Sequence, residues 1–319
     1  MKKYLSYLFV SCFITTSLFA QQLPYYTQFR SNEFITNPGV TGTKRLLDAR
    51  VNYRTQWVGY EGAPQTTSIG LHSRFFKGTM GAGLYFMQDK IGPSKQSNIG
   101  VSYAYHLKFP DCELSAGIAA NFTKYSLIGS DITLHNTQDP SINQYITNST
   151  WVADAAAGIY LYNDRFHVGA SAMHIMQSTA EFYKADTTKK GLVRYATQAN
   201  FTLGYNFSQN HDYVWESTLF GSYVKGAPMS LDYTLRVHYK QTVFAGVSVR
   251  LHDAIALHIG YTFFGSYQVS YSYDFLVSKL RSYSSGSHEI MIAVSHNIFT
   301  QKRGRVDDRF LHQKYGYLF

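Results

Sequence analysis

The residues of this 319-residue chain best suited to chemistry are its twelve histidines and a thin scatter of carboxylates. Zinc sites need His, Cys or Asp at close, fixed spacings. His106, His167, His238 and His258 instead fall in separate segments, mostly at polar positions of an alternating pattern, which reads as solvated side chains rather than ligands. A hydrolytic nucleophile would announce itself through G-x-S-x-G, a metalloprotease through H-E-x-x-H and a nucleotide site through a phosphate loop; none occurs. Asp154, set among alanines, needs a partner, and an Arg from a neighbouring strand is the expected one. The chain therefore reads as a non-enzyme without metal or cofactor, with a hydrolase of dispersed Ser, His and Asp as a distant third reading.

The elements that must position these residues are strands. Aromatic residues make up 16% of the chain and charged residues only 15%, against roughly 25% charged in ordinary domains. That balance excludes disorder and coiled coil, and two cysteines exclude a disulfide scaffold. A single long apolar run excludes a bundle of membrane helices. In Ile99-Gly100-Val101-Ser102-Tyr103-Ala104-Tyr105-His106-Leu107 the odd positions are apolar and the even ones small or polar. Residues 231–239 and 269–275 repeat the pattern. Such alternation over roughly 9–11 residues marks a transmembrane strand between lipid and a polar lumen.

About fourteen such segments are expected under that template: 46–57, 65–75, 79–88, 97–108, 112–125, 150–162, 165–175, 193–207, 212–224, 229–239, 242–251, 254–263, 267–275 and 288–299. The fold class is all-β, a transmembrane antiparallel barrel. Every second connection is tight, and the long ones (58–64, 89–96, 126–149, 176–192, 276–287) share the other parity. Bacterial barrels keep short turns on the periplasmic side, so both termini are expected to be periplasmic. Rings near strand ends, among them Tyr53, Trp57, Trp151, Phe207 and Trp215, suit the lipid–water boundary.

Met1-Lys2-Lys3 and the apolar run Tyr4 to Phe19 read as a signal peptide cleaved after Ala20. The expected organisation is a leader (1–20), a pre-barrel segment (21–45), an outer-membrane barrel (46–299) and a basic tail (300–319). Lys302, Arg303, Arg305 and Arg309 in that tail are candidate periplasmic contacts. The formal charge of +9 forms no stripe with interleaved aromatics, so the expected partners are outer-membrane lipid or an acidic protein and not nucleic acid.

Several stretches go beyond a generic barrel: Pro24-Tyr25-Tyr26-Thr27-Gln28-Phe29, Asn37-Pro38-Gly39, Arg54-Thr55-Gln56-Trp57-Val58-Gly59-Tyr60-Glu61-Gly62-Ala63-Pro64, Asp89-Lys90-Ile91-Gly92, Ser270-Tyr271-Ser272-Tyr273-Asp274 and Ser284-Ser285-Gly286-Ser287-His288-Glu289-Ile290. In this order they resemble the PorP/SprF family of type IX secretion system membrane proteins of Bacteroidota. The resemblance implies an outer-membrane barrel serving type IX secretion and, in some bacteria, gliding motility. It further implies contact with periplasmic components or escort of a large secreted adhesin.

Glycines and prolines stiffen the loops around 58–64 and 89–96. The expected docking residues there are Tyr60 and Ile91 as apolar anchors, Glu61 and Asp89 as exposed charges, and Pro64 and Gly92 as stiffeners. Arg54 and Gln56 take the lumen phase, where they would pin the pre-barrel segment through Gln28, Asn37 and Pro38, so that the segment partly plugs the barrel. A diffusion porin or hydrophobic-solute channel is the alternative. The loop 126–149 holds Asp131 and Asp139 but no Lys or Arg, unlike a porin constriction with opposed charges. About fourteen strands would also be too few to pass a folded domain.

Overall fold

The computed structural model describes residues 24–44, 46–132, 147–182, 191–208 and 212–296. The expected leader, the basic tail with its four candidate contacts, positions 297–299 and the middle of the 126–149 loop lie outside the described residues.

Fourteen antiparallel strands close into a barrel in chain order. The wall begins with β1 (Leu47–Thr55), β2 (Gln65–Phe75), β3 (Met80–Ile91) and β4 (Ser94–Lys108). It continues through β5 (Glu113–Ile128), β6 (Thr147–Tyr162) and β7 (Phe166–Met173). A small separate hairpin, β8 (Thr179–Phe182) and β9 (Gly191–Arg194), interrupts the series. The wall resumes with β10 (Gln198–Ser208), β11 (Tyr213–Val224), β12 (Ser230–Tyr239) and β13 (Val243–Arg250). It ends with β14 (Ala254–Phe263), β15 (Tyr267–Leu276) and β16 (Ser287–His296). β16 pairs with β1 from Leu47↔His296 to Thr55↔His288, so the first and last strands form the closing seam.

Each of the fourteen expected segments holds a wall strand. The period-2 pattern works because the two faces meet different media. Outward positions such as Val101, Tyr103, Ile118, Leu203 and Ile259 are exposed and apolar, whereas inward Asp48, Asn52, Asn98, Asn121, Thr218 and Ser272 are buried and polar. Aromatic pairs close the outer face at the strand ends: Phe207 stacks on Trp215 at 6.2 Å and Tyr213 on Tyr239 at 5.0 Å. No described helix is long and apolar enough to cross a membrane; this chain crosses with strands.

Three expectations need correction. The 89–96 connection is not a loop, because β3 and β4 stay paired out to Ile91↔Ser94 and turn at Gly92-Pro93. The 176–192 connection contains the β8–β9 hairpin, whose Ala180 packs with Tyr125, Val152 and Tyr195. Asp154 has no Arg partner among the described residues. Its carboxylate accepts the amides of its neighbour Ala155 (2.7 Å) and of Met176 (3.0 Å) and lies 3.4 Å from His174 Nδ1, because the chain folds back after β7 and brings His174 and Met176 to the carboxylate.

Candidate functional site

Residues 24–44 lie inside the barrel, in a chain of short helical turns at Phe29–Ser31, Glu33–Thr36 and Pro38–Val40. Pro38 starts the last turn, where its missing N–H costs nothing, and Asn37 Oδ1 accepts the Gly39 amide at 2.8 Å. Tyr26, Phe29, Phe34, Ile35 and Val40 form an apolar cluster with Tyr85, Tyr160 and Phe220 of the wall. Phe29 stacks on Phe220 at 4.7 Å, and Phe34 packs on His72 at 4.6 Å. Burying each of the larger side chains is worth about 1.5–3 kcal/mol.

The densest polar contact joins four of the stretches that carry the family resemblance. Arg54, only 1% exposed, donates to Glu289 at 2.9 Å, to Asp274 at 2.8 Å and to the Thr27 hydroxyl. Thr27 Oγ1 in turn donates to Asp274 at 2.8 Å, and its amide donates to Glu289 at 2.7 Å. The Gln28 amide reaches Glu289 at 3.1 Å, while Ser270 Oγ donates to Gln28 Oε1 at 2.6 Å. Arg250 lies 3.8 Å over the Tyr25 ring and 3.5 Å from Asp232, which also accepts the Tyr25 hydroxyl at 2.8 Å. The three carboxylates and both guanidinium groups thereby have partners of opposite charge, as buried charges must.

The next turn of the segment is held by Arg30, which bonds Glu216 of the wall at 2.6 Å and Glu33 at 3.3 Å. Burial pushes the Glu33 carboxyl above its usual range, against the pull of Arg30 and the Tyr160 hydroxyl that donates to it at 2.7 Å. Arg236 reaches Ser31 Oγ at 2.9 Å. At the exit, burial and the nearby Arg50 bring the Lys44 ammonium down to about 8, although Asp48 accepts from it at 3.0 Å.

On the opposite wall the segment lies against glycines. A Cβ on Gly83 would come within 2.6 Å of the Phe34 ring, and one on Gly169 within 2.9 Å of Asn37 Nδ2. On Gly117 it would run into the Pro38 carbonyl, on Gly158 into Asn37 Oδ1 and on Gly81 into the Thr41 carbonyl. Glycine is required here for close backbone approach. Gly117→Val is expected to cost a few kcal/mol, since neither backbone can yield; the compact, heat-modifiable gel band should shrink or vanish, and an unchanged band would show that the segment moves aside.

Of the lumen candidates, Gln28, Asn37, Pro38 and Arg54 all meet at this interface. Asn37 Nδ2 also donates to the Ile159 carbonyl at 3.2 Å. Gln56 sits instead just past β1, where its amide donates to the Pro64 carbonyl at 2.9 Å and closes the loop base. Glu289, Asp274, Glu216, Asp48, Arg250, Arg30 and Thr27 were not singled out. For the five on the wall, Glu289, Asp274, Glu216, Asp48 and Arg250, the signal is a charged residue on the inward phase of an otherwise alternating strand; Thr27 and Arg30 lie on the inner segment and carry no such signal.

The rim without the termini carries the loop candidates. The Val58 amide donates to the Gly286 carbonyl and the Ser285 amide to the Val58 carbonyl, both at 2.8 Å. The Gly92 amide donates to the Gly62 carbonyl at 2.9 Å. Three loops are thus joined, at positions where Gly62 and Gly286 have φ of +73° and +113°. Tyr60 (53% exposed), Glu61 and Ile91 (50%) stand free on this rim beside Gly92. Asp89 does not: on the extended β3 its side chain turns inward, 8% exposed, and accepts from Thr66 Oγ1 at 2.6 Å. Pro64 is buried under the loop base as well.

Among the described residues no group of three or more His, Cys, Asp or Glu is placed to hold a metal. Of the histidines expected to be solvated, His238 is part-exposed but His106, His167 and His258 are buried, because the inner segment and neighbouring wall side chains cover them; His106 Nε2, for example, lies 3.0 Å from the Thr41 carbonyl. No curated protein matches the chain. Among solved structures it is similar to a Pseudomonas aeruginosa FadL homologue, with 12% identity and a TM-score of 0.45 over 86% of this chain and 94% of that one. The CymD monoaromatic hydrocarbon channel gives 12% identity and 0.48 over 86% and 92%. The Acinetobacter baumannii outer membrane protein Omp33 gives 11% and 0.45 over 79% and 99%. These likenesses are weak and say nothing of ligand or cargo. The sequence pattern of the type IX secretion system membrane proteins PorP/SprF, by contrast, matches residues 18–294 and so takes in the inner segment, the Arg54–Asp274–Glu289 cluster and the joined loops: the chain belongs to that family.

Proposed function

We propose that this barrel serves type IX secretion by docking rather than conducting. It would anchor a large secreted surface adhesin, or contact periplasmic secretion components, from a fixed position in the outer membrane. The observation that carries this reading is the inner segment: residues 24–44 are bonded to the wall from β1 and β2 through β6 and β11 to β16. In this reading they are a resident plug, with Gln28, Asn37, Pro38 and Arg54 among its contacts. The terminal rim, with its tight turns, faces the periplasm, and the basic tail with Lys302, Arg303, Arg305 and Arg309 meets periplasmic partners there. Residues 1–20 act as the cleaved export signal. Tyr60, Glu61, Ile91 and Gly92 then face outward, and the apolar wall meets outer-membrane lipid.

Affinity purification of the tagged barrel from native membranes, read by mass spectrometry, tests this. Recovery of a large surface protein or of type IX components is expected. A partner-free barrel with high single-channel conductance overturns the reading in favour of a porin or hydrophobic-solute channel.

A further inference from the structure

The rim away from the termini combines rigidity, exposed rings and unmatched positive charge in one place. The backbone bonds between Val58 and Ser285–Gly286 tie the β1–β2 loop to the β15–β16 loop, and Ser285 Oγ adds a bond to the Val58 carbonyl at 3.1 Å. The Trp57 amide donates to Ser287 Oγ at 3.2 Å, and the Tyr273 hydroxyl donates to the Ser285 carbonyl. From this base project Tyr60 and Tyr283, the latter 72% exposed, with Ile91 on the third loop. The helical turn Lys279–Ser282 stands in the same β15–β16 loop and carries Lys279 and Arg281.

Among the described residues the cations of this rim divide into paired and unpaired ones, and exposed Lys225 of the β11–β12 loop is among the unpaired. Lys90 is matched to Asp131 at 3.2 Å, and Arg250 to Asp253 at 2.8 Å. Lys279 and Arg281 are exposed and have no ion-pair partner among the described residues. Glu61 is the one exposed carboxylate on the joined β1–β2 loop. The two cations share the β15–β16 loop with Tyr283, whose carbonyl lies 4.0 Å from where a Cβ on Gly59 would stand, and the loop lies past the last paired residues of the seam, Thr55↔His288.

We propose that these joined loops are the docking platform for an acidic segment of a protein partner. A carboxylate of that segment pairs with Arg281 or Lys279, and an apolar side chain lies between Tyr60 and Tyr283. This deepens, and rests on, the docking reading above. Arg gives a carboxylate two parallel donors, and Tyr with Arg is the combination that dominates well-packed interfaces. Because the loops are already joined, little ordering entropy is lost on binding. The attraction weakens as salt rises, since the cations are exposed.

The probes are two short fluorescent peptides, one alternating aspartate and phenylalanine, the other lysine and phenylalanine. They are titrated onto the full barrel in nanodiscs free of lipopolysaccharide. The acidic peptide is expected to bind about tenfold more tightly than the basic one, as charge-assisted contacts of this kind allow. K279E/R281E should invert that preference, and Tyr283→Ser should weaken both peptides about tenfold. Equal binding of the acidic peptide to wild type and K279E/R281E overturns the proposal. So does its complete displacement by added lipopolysaccharide, which would make the rim a lipid site. In the native-membrane purification, a partner held equally by wild type and K279E/R281E overturns this platform while leaving docking intact. A partner absent from the wild type overturns docking itself. The substituted residues are exposed, so both barrels should show the same heat-modifiable gel band.

Discussion

If residues 24–42 plug the barrel as proposed, deleting them should raise its conductance to that of an open pore in planar bilayers. Barrels of about eight strands are filled by their own side chains, whereas those of 16–18 strands leave a water channel. Fourteen strands lie between these, and here Tyr26, Phe29, Phe34, Ile35 and Val40 of the inner segment pack against Tyr85, Tyr160 and Phe220 of the wall. Deletion removes Phe29, Phe34, Ile35 and Val40 at once, together with their wall contacts. The wall itself should still close. Arg54 stays within reach of Glu289 and Asp274, and Arg250 within reach of Asp232 and Asp253, so the largest buried charges keep partners without the segment. The expected product is therefore a folded but less stable barrel whose single-channel conductance rises by about an order of magnitude toward porin values. A conductance unchanged by the deletion would refute the plug.

The second large effect is expected at Arg54. Replacing it by Met keeps much of the side-chain volume but leaves Glu289 with only neutral donors, among them Asn52 Nδ2 at 2.7 Å and the Thr27 amide. Asp274 keeps Arg250 at 3.6 Å. Removing one partner of a buried ion pair costs about 3–5 kcal/mol, because the remaining charge stays desolvated. Urea unfolding in lipid vesicles should show the midpoint falling accordingly. Arg54→Lys should recover part of the loss, since a single ammonium cannot span both carboxylates as the guanidinium does. Adding Glu289→Leu to Arg54→Met should recover more. A midpoint for R54M equal to wild type would mean that water reaches the cluster.

The wall was legible in the sequence because lipid and lumen select opposite chemistry at alternate positions, as the run from Ile99 to Leu107 displays. That signal fades where the strands leave the bilayer. Around Asp89-Lys90 and Lys95-Gln96 both phases are polar, so the paired extension of β3 and β4 reads as a loop and Asp89 reads as exposed. The β8–β9 hairpin hides for another reason: its strands are only four residues each, too short for the alternation to register. The charge clusters were half legible. Arg54 could be assigned to the lumen by parity, yet its partners lie 220 and 235 residues away, and only barrel closure brings them together. Asp154 shows the opposite case, in which a carboxylate expected to need a distant Arg is met by two amides and a histidine from a chain reversal nearby.

The closing seam carries one more consequence. First and last strands are where a barrel can unzip to let a passenger slip sideways into the bilayer. Here that edge is riveted along its length: Ser295 Oγ to Asp48 at 2.7 Å near one end, Arg54 and Asn52 to Glu289 midway, and the Val58–Ser285–Gly286 bonds across the other end. Parting it means breaking a nine-pair ladder together with buried ionic bonds. The described seam offers no side door, so under the docking proposal a bound cargo would have to travel over the rim or by a neighbouring protein.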